Sequence, residues 1–156
     1  MIMTNYWKIM KDAEEGSYIS DVLATNGVGF SLIFSEYAGN NLRYNINMGA
    51  ILSNSDAAVD EDDYTIDGNV SSNFTNVTVN ASFSASGDGI KRIFTITGTN
   101  SSESAVEIKR VGLTKLLQGS GLGNGATVLL AVVDLAESIT VGSLNSFSIT
   151  LEWDEG

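Results

Sequence analysis

The chain has no cysteine, no histidine and no proline, and only 17% of its residues are charged. Without cysteine there is no disulfide, no thiol nucleophile and no iron–sulfur cluster, and the redox compartment leaves no trace in the sequence. Without histidine there is no Ser-His-Asp triad, no His-ligated zinc and no side chain whose ordinary pKa suits a general base near neutral pH. Basic residues are few: 8 Lys and Arg stand against 19 Asp and Glu, a net charge of −11. Such a surface repels phosphate backbones, which argues against a nucleic-acid partner. Average proline usage near 5% would supply about eight, and nothing in the sequence accounts for their absence.

Long apolar runs are missing too. The longest, Thr127-Val128-Leu129-Leu130-Ala131-Val132-Val133, falls far short of the roughly 18 residues that a membrane span requires. The opening Met1-Ile2-Met3-Thr4 lacks a basic segment followed by an apolar stretch, so no secretory signal is expected. The expectation is a soluble chain with no membrane partner.

What is present is 156 residues, 43% of them apolar, enough for one domain with its own core. At the N-terminus, Met3, Tyr6, Met10 and Ala13 recur at spacings of three and four, with Thr4 to start a helix and Gly16 to end it. Residues 1–16 are therefore read as a short helix or a docking arm, and 17–156 as the single main domain.

From Val28 onward the period is two. Val77, Val79, Ala81, Phe83 and Ala85 alternate with Thr78, Asn80, Ser82 and Ser84, and Phe147, Ile149, Leu151 and Trp153 alternate with Ser146, Ser148, Thr150 and Glu152. Both patterns describe half-buried strands with a polar outer face, and they place Trp153 in the core. Arg92, Phe94 and Ile96 against Ile93, Thr95 and Thr97 make a third, mixed strand, buried on one face more than the other. In Val106-Glu107-Ile108-Lys109-Arg110-Val111-Gly112-Leu113 the apolar positions switch from even to odd, which predicts a β-bulge around Lys109-Arg110. Val128 to Val133 is apolar on both phases and reads as a central strand covered on both faces. Turn signals at Gly87-Asp88-Gly89, Gly98 to Ser102, Gly119 to Gly125 and Val141-Gly142-Ser143 separate the runs. The fold expected is all-β: an antiparallel β-sandwich of about eight to ten strands, immunoglobulin-like or jelly-roll-like.

Candidate chemistry is sparse. The acidic run Asp56-Ala57-Ala58-Val59-Asp60-Glu61-Asp62-Asp63 offers hard ligands for calcium, but an EF-hand register starting at Asp63 puts Phe74 where the bidentate Glu belongs. A solvated acidic loop is the alternative, and no cofactor is assigned. The Gly119–Gly125 loop has no following helix and no lysine within it, so it is not read as a phosphate cradle. Sequons at Asn69, Asn73, Asn76, Asn80 and Asn100 are attributed to polar strand faces rather than to glycans. Nothing sets two carboxylates across a cleft for glycoside hydrolysis, and no enzyme is expected. Tyr37 and Tyr44, flanking Gly39-Asn40-Asn41, are the candidate surface recognition residues, with a host surface glycan as the ligand class. Tyr6, Trp7, Ile9 and Met10 are the candidate partner interface, because aromatic residues and Met are enriched at interface cores.

One stretch resembles small bacteriophage virion structural proteins, the capsid-accessory or tail-associated β-sandwich family. The matching elements are Ile90-Lys91-Arg92-Ile93-Phe94-Thr95-Ile96-Thr97-Gly98-Thr99-Asn100, then Val106 to Leu113, Thr127-Val128-Leu129-Leu130-Ala131, the turn Val141-Gly142, and Ser146 to Glu152. In those proteins a strand ending "ITGTN" precedes an "I-x-E-I-G-L" strand, a "LLAR" strand, an "I-x-x-G-E-S" turn and a last alternating strand. Here Arg110-Val111-Gly112-Leu113 replaces E-I-G-L, and Ala131-Val132 replaces A-R. The resemblance covers residues 74 to 153 and carries no catalytic signature. It implies a non-enzymatic virion component made in the bacterial host cytoplasm: an accessory capsid (decoration) protein first, a tail or fibre subunit second. Other virion proteins would be its partners, with homo-oligomerisation. A carbohydrate-binding sandwich is the rival from another class.

Overall fold

The computed structural model describes residues 1–3, 6, 18–33, 48–86, 89–117 and 125–155. Within them lie eight strands: β1 (Tyr18–Leu23), β2 (Gly29–Ile33), β3 (Met48–Ser53), β4 (Phe74–Ser86), β5 (Gly89–Asn100), β6 (Val106–Leu117), β7 (Ala126–Val141) and β8 (Ser146–Glu155). Strands β1 and β2 form a hairpin, and the others make two three-stranded antiparallel sheets, β3-β6-β7 and β4-β5-β8. This is the all-β sandwich that the period-two patterning predicts.

The alternation explains why the sheets stack. Across β4-β5-β8 the register lines up Val79 with Ile96 and Ile149, and Ala81 with Phe94 and Leu151. These rows pack against Leu52, Val106, Ile108, Val111, Leu113, Ala131 and Val141 of the other sheet to form the main core. Gly98 has no side chain for a reason visible here: a Cβ at that position would lie 2.9 Å from the ring of Phe147. Consecutive strands pair as hairpins within a sheet (β4-β5, β6-β7), while β3–β4, β5–β6 and β7–β8 cross between sheets. That order matches the C-F-G and D-E-B adjacencies of an immunoglobulin sandwich, with β8 taking the place of strand B. A jelly roll would instead alternate sheets at nearly every step.

Two sequence expectations are refined by the register. The phase slip in β6 does coincide with a break in pairing, between Ile108↔Ile139 and Arg110↔Asp134. The extra residues, however, belong to β7, where 135–138 lie opposite Lys109 alone. The second correction concerns Val128–Val133, which is buried on both faces yet belongs to the outermost strand of its sheet. Its inner face joins the main core, and its outer face is covered by Met3 and Ile66, which cluster with Leu129 and Val132. Periodicity reports burial, and a strap over a sheet hides a strand as well as a neighbouring strand does.

Both edges of β3-β6-β7 are bridged over part of their length. Along β7, Ile2 bridges Ala131, Met3 N–H donates to the Leu130 carbonyl at 2.9 Å, and Val132 N–H donates to the Met1 carbonyl at 2.8 Å. Residues 1–3 thus belong to the sandwich. Along β3, Val70 N–H donates to the Leu52 carbonyl and Leu52 N–H to Ser71 Oγ, each at 2.8 Å. Gly68, at φ +64°, makes this return possible; a Cβ there would sit 2.7 Å from the Cβ of Ser55.

Candidate functional site

The two most distinctive sequence features, the acidic run and the slip in β6, meet on the outer face of β3-β6-β7. Lys109 Nζ lies 2.6 Å from Asp56 Oδ2. Arg110 Nε donates to Asp134 Oδ1, and its Nη1 donates to the Ala57 carbonyl at 2.6 Å. A regular strand would send adjacent residues to opposite faces, but the broken register lets both cations reach the same strap. They line an open groove of about 350 Å³ with Asp56, Asp134, Leu135 and Ser138. The Asp56 hydrogen bond raises the Lys109 pKa above its ordinary value, so this ammonium stays charged across the neutral range.

Beyond Ala57, the strap inserts Val59 and Ile66 against Ile51, Leu129 and Val132. The acidic residues between them close a tight turn: Asp63 N–H donates to the Asp60 carbonyl, Asp60 N–H to Asp63 Oδ2, and Asp62 N–H to Asp60 Oδ1. Their carboxylates accept backbone N–H groups, and among the described residues no group of three or more acidic side chains is placed to hold a metal ion. The run is a tether for the strap at one end and a turn at the other.

Of the sequence-predicted recognition residues, Tyr6 lies among those described. Tyr6 is buried, 4% exposed, with its ring 5.1 Å from that of Trp153. It packs on its own sandwich and offers no free face to a partner. Trp7, Ile9, Met10, Tyr37 and Tyr44 lie outside the described residues. Asn100 is fully buried, and its amide nitrogen donates to the carbonyls of Ser104 and Val141 at 2.9 and 2.8 Å. A glycan at that sequon is incompatible with this packing.

Sequence reasoning missed two buried cations, Arg92 and Lys115, which continue the inward alternations Arg92-Phe94-Ile96 and Leu113-Lys115-Leu117. That parity was the available signal. Burial lowers the Lys115 pKa from 10.5 to about 8. Between those values the unfolded chain holds a proton that the folded chain has released, so this group's contribution to stability rises with pH in that window. Lys115→Met is therefore expected to stabilise the fold at pH 7 by about 1–3 kcal/mol. The gain should shrink as pH rises from 8 to 10.5, measured by urea denaturation at several pH values.

The outer face of β4-β5-β8 is of another character. Its rows are Thr78-Thr97-Ser148 and Asn80-Thr95-Thr150, flanked by Thr99 beside Ser146. Thr78 and Thr97 hydroxyls are 2.9 Å apart and those of Thr99 and Ser146 are 3.0 Å apart. Charge enters only at one end, where Lys91 Nζ pairs with Glu152 at 2.6 Å. In a chain of net charge −11, this face is a broad neutral grid of hydroxyl and amide groups. Comparison with known proteins finds no matching family model, no matching curated protein and no matching solved structure.

Proposed function

We propose that this chain is a non-enzymatic structural protein of a bacteriophage virion. In this reading it is an accessory capsid (decoration) subunit that meets other virion proteins through the outer face of β4-β5-β8. The observation that carries the reading is the neutrality of that face. A hydroxyl-lined sheet can be covered without stripping water from ions, and it lets acidic subunits approach one another without like-charge opposition at the contact. The remaining acidic surface keeps the free subunit soluble before assembly. The resemblance over residues 74 to 153 spans this same sheet, its partner strands β6 and β7, and the turns between them.

Immunogold labelling of phage particles from cells carrying the gene tests the reading. Labelled heads are the expected result. Labelled tails would move the assignment to a tail or fibre subunit, and unlabelled particles would overturn it. The double variant Thr97→Lys/Ser148→Lys should bind particles at least about tenfold more weakly, because each buried unpaired ammonium costs more than 1.4 kcal/mol. Circular dichroism and thermal midpoint should not change, since both positions face solvent in the free chain.

A further inference from the structure

We propose that the outer edge of β4 is the docking site for a second copy of this chain. The two copies would pair antiparallel about a two-fold axis, so that two β4-β5-β8 sheets become one six-stranded sheet. The inference does not depend on the virion reading.

The two three-stranded sheets present four edges that compete for such a role. The β7 edge is bridged at Leu130–Val132 by residues 1–3 and carries Asp134 and Glu137 beyond them, and the β3 edge is bridged at Leu52 and Ser53 by the chain returning through Gly68 to Ser71. Among the described residues, the edges of β4 and β8 have no ladder partner. The β8 strand carries three acidic residues in ten, Glu152, Asp154 and Glu155, so two copies joined along it would gather six negative charges in one short ladder. Strand β4 runs 13 residues, Phe-Thr-Asn-Val-Thr-Val-Asn-Ala-Ser-Phe-Ser-Ala-Ser, without one charge. Exposed edges are ordinarily guarded by lysines, prolines or bulges. The β4 edge has one such device, a register break between Thr75 and Thr78 with Asn76 at φ +54°. It leaves residues 78–86 in unbroken register with β5, a free edge of about 30 Å.

A second copy suits this edge because the same neutral strand is available on both molecules and an isologous contact must be self-complementary. Thr, Asn and Ser pair favourably across antiparallel strands. Register is constrained as well. Val79 and Ala81 face the core side, and a pairing that keeps both copies' apolar rows on that side must set odd residues opposite odd ones. The two-fold axis then passes through a residue, with the longest overlap when that residue is Ser82.

This placement makes a direct test, because the chain contains no cysteine. Single cysteines are introduced in turn at each position from 78 to 86 of the full chain and exposed to a mild oxidant. Disulfide-linked dimer should peak at one position near Ser82 and fall on both sides, since only the residue on the axis meets its own copy within the Cα separation that a disulfide spans. Glu103→Cys, on an exposed crossover, should give background only. Light scattering should find a dimer for the unsubstituted chain. The triple variant Thr78→Lys/Asn80→Lys/Ser82→Lys should be a monomer, and mixing it with its Glu counterpart should restore the dimer. Thr97→Lys/Ser148→Lys should stay dimeric, which separates loss of the edge from loss of the outer face. A monomeric chain, a flat cross-linking profile, or a triple-lysine variant that remains dimeric would each overturn the proposal.

Discussion

Asn100→Ala should lower the free energy of unfolding by about 2–4 kcal/mol, with the denaturant slope unchanged. The side chain is fully buried at the end of β5. Its nitrogen donates to Ser104 and Val141, and its oxygen accepts from the Ser102 backbone N–H at 2.9 Å and the Ser102 hydroxyl at 2.7 Å. Its backbone exchanges hydrogen bonds with Asn145 and Leu144, and the neighbouring Ser101 N–H reaches the Asn73 carbonyl. All three passages between the sheets are thereby tied together at one end of the sandwich. Removing the amide takes the side-chain donor from the buried Val141 carbonyl and the acceptor from the Ser102 N–H, and that unmade hydrogen bonding sets the size of the loss. Asn100→Asp separates this account from simple loss of volume. It keeps the shape and the acceptor, loses both donors and buries a charge, so its deficit at neutral pH should exceed that of Asn100→Ala. Burial would raise the introduced carboxyl's pKa in the folded state, so stability should recover as pH falls through that raised value. Equal urea midpoints for the two variants at pH 7 would contradict the hub.

Phe94→Ala should cost about 3–5 kcal/mol, and Phe94→Leu less than half of that. The ring is 1% exposed in the middle of the central strand β5, between Ala81 and Leu151, with the Trp153 ring centroid 6.3 Å away. Neighbours on both sides are held by ladder hydrogen bonds, so the sheet cannot close around the space. The ring also forms part of the floor of a cleft of about 290 Å³ lined by Met1, Ile2, Leu113, Ala131, Val133 and Trp153. Removing it would open that cleft into the core. Thermal and urea denaturation report the loss directly. A deficit under about 1.5 kcal/mol would mean that Trp153 or Leu113 can swing in to fill the gap.

Much of the sandwich was legible because its strands carry period-two patterns with little interference. In β4 and β8 a one-residue slip would exchange the alternating apolar side chains for Ser, Thr, Asn or acidic residues, so the facing of those strands leaves no choice. The slip in β6 was readable for the same reason, as a change of phase between Ile108 and Val111. Which strand carries the extra residues was not readable, because pairing register depends on a partner 24 residues away at Asp134. The strap over β3-β6-β7 was equally hidden: Val59 and Ile66 are isolated apolar residues in a polar stretch, and no period marks them. Residue type and local context mark the candidate recognition residues, and neither distinguishes an aromatic that waits for a partner from one, such as Tyr6, already packed on Trp153.

The sequence by itself determined the class of the fold, the facing of the long strands, and the exclusion of His- and Cys-based chemistry, since each follows from residue type and local spacing. Only the tertiary structure decided which strands are neighbours, which edges are bridged and where the charges meet. Strand order is set by contacts between residues far apart in the chain, whose free energy has no local signature. The tether of Asp56 to Lys109 and the neutral sheet with β4 as its outer strand among the described residues are consequences of that order.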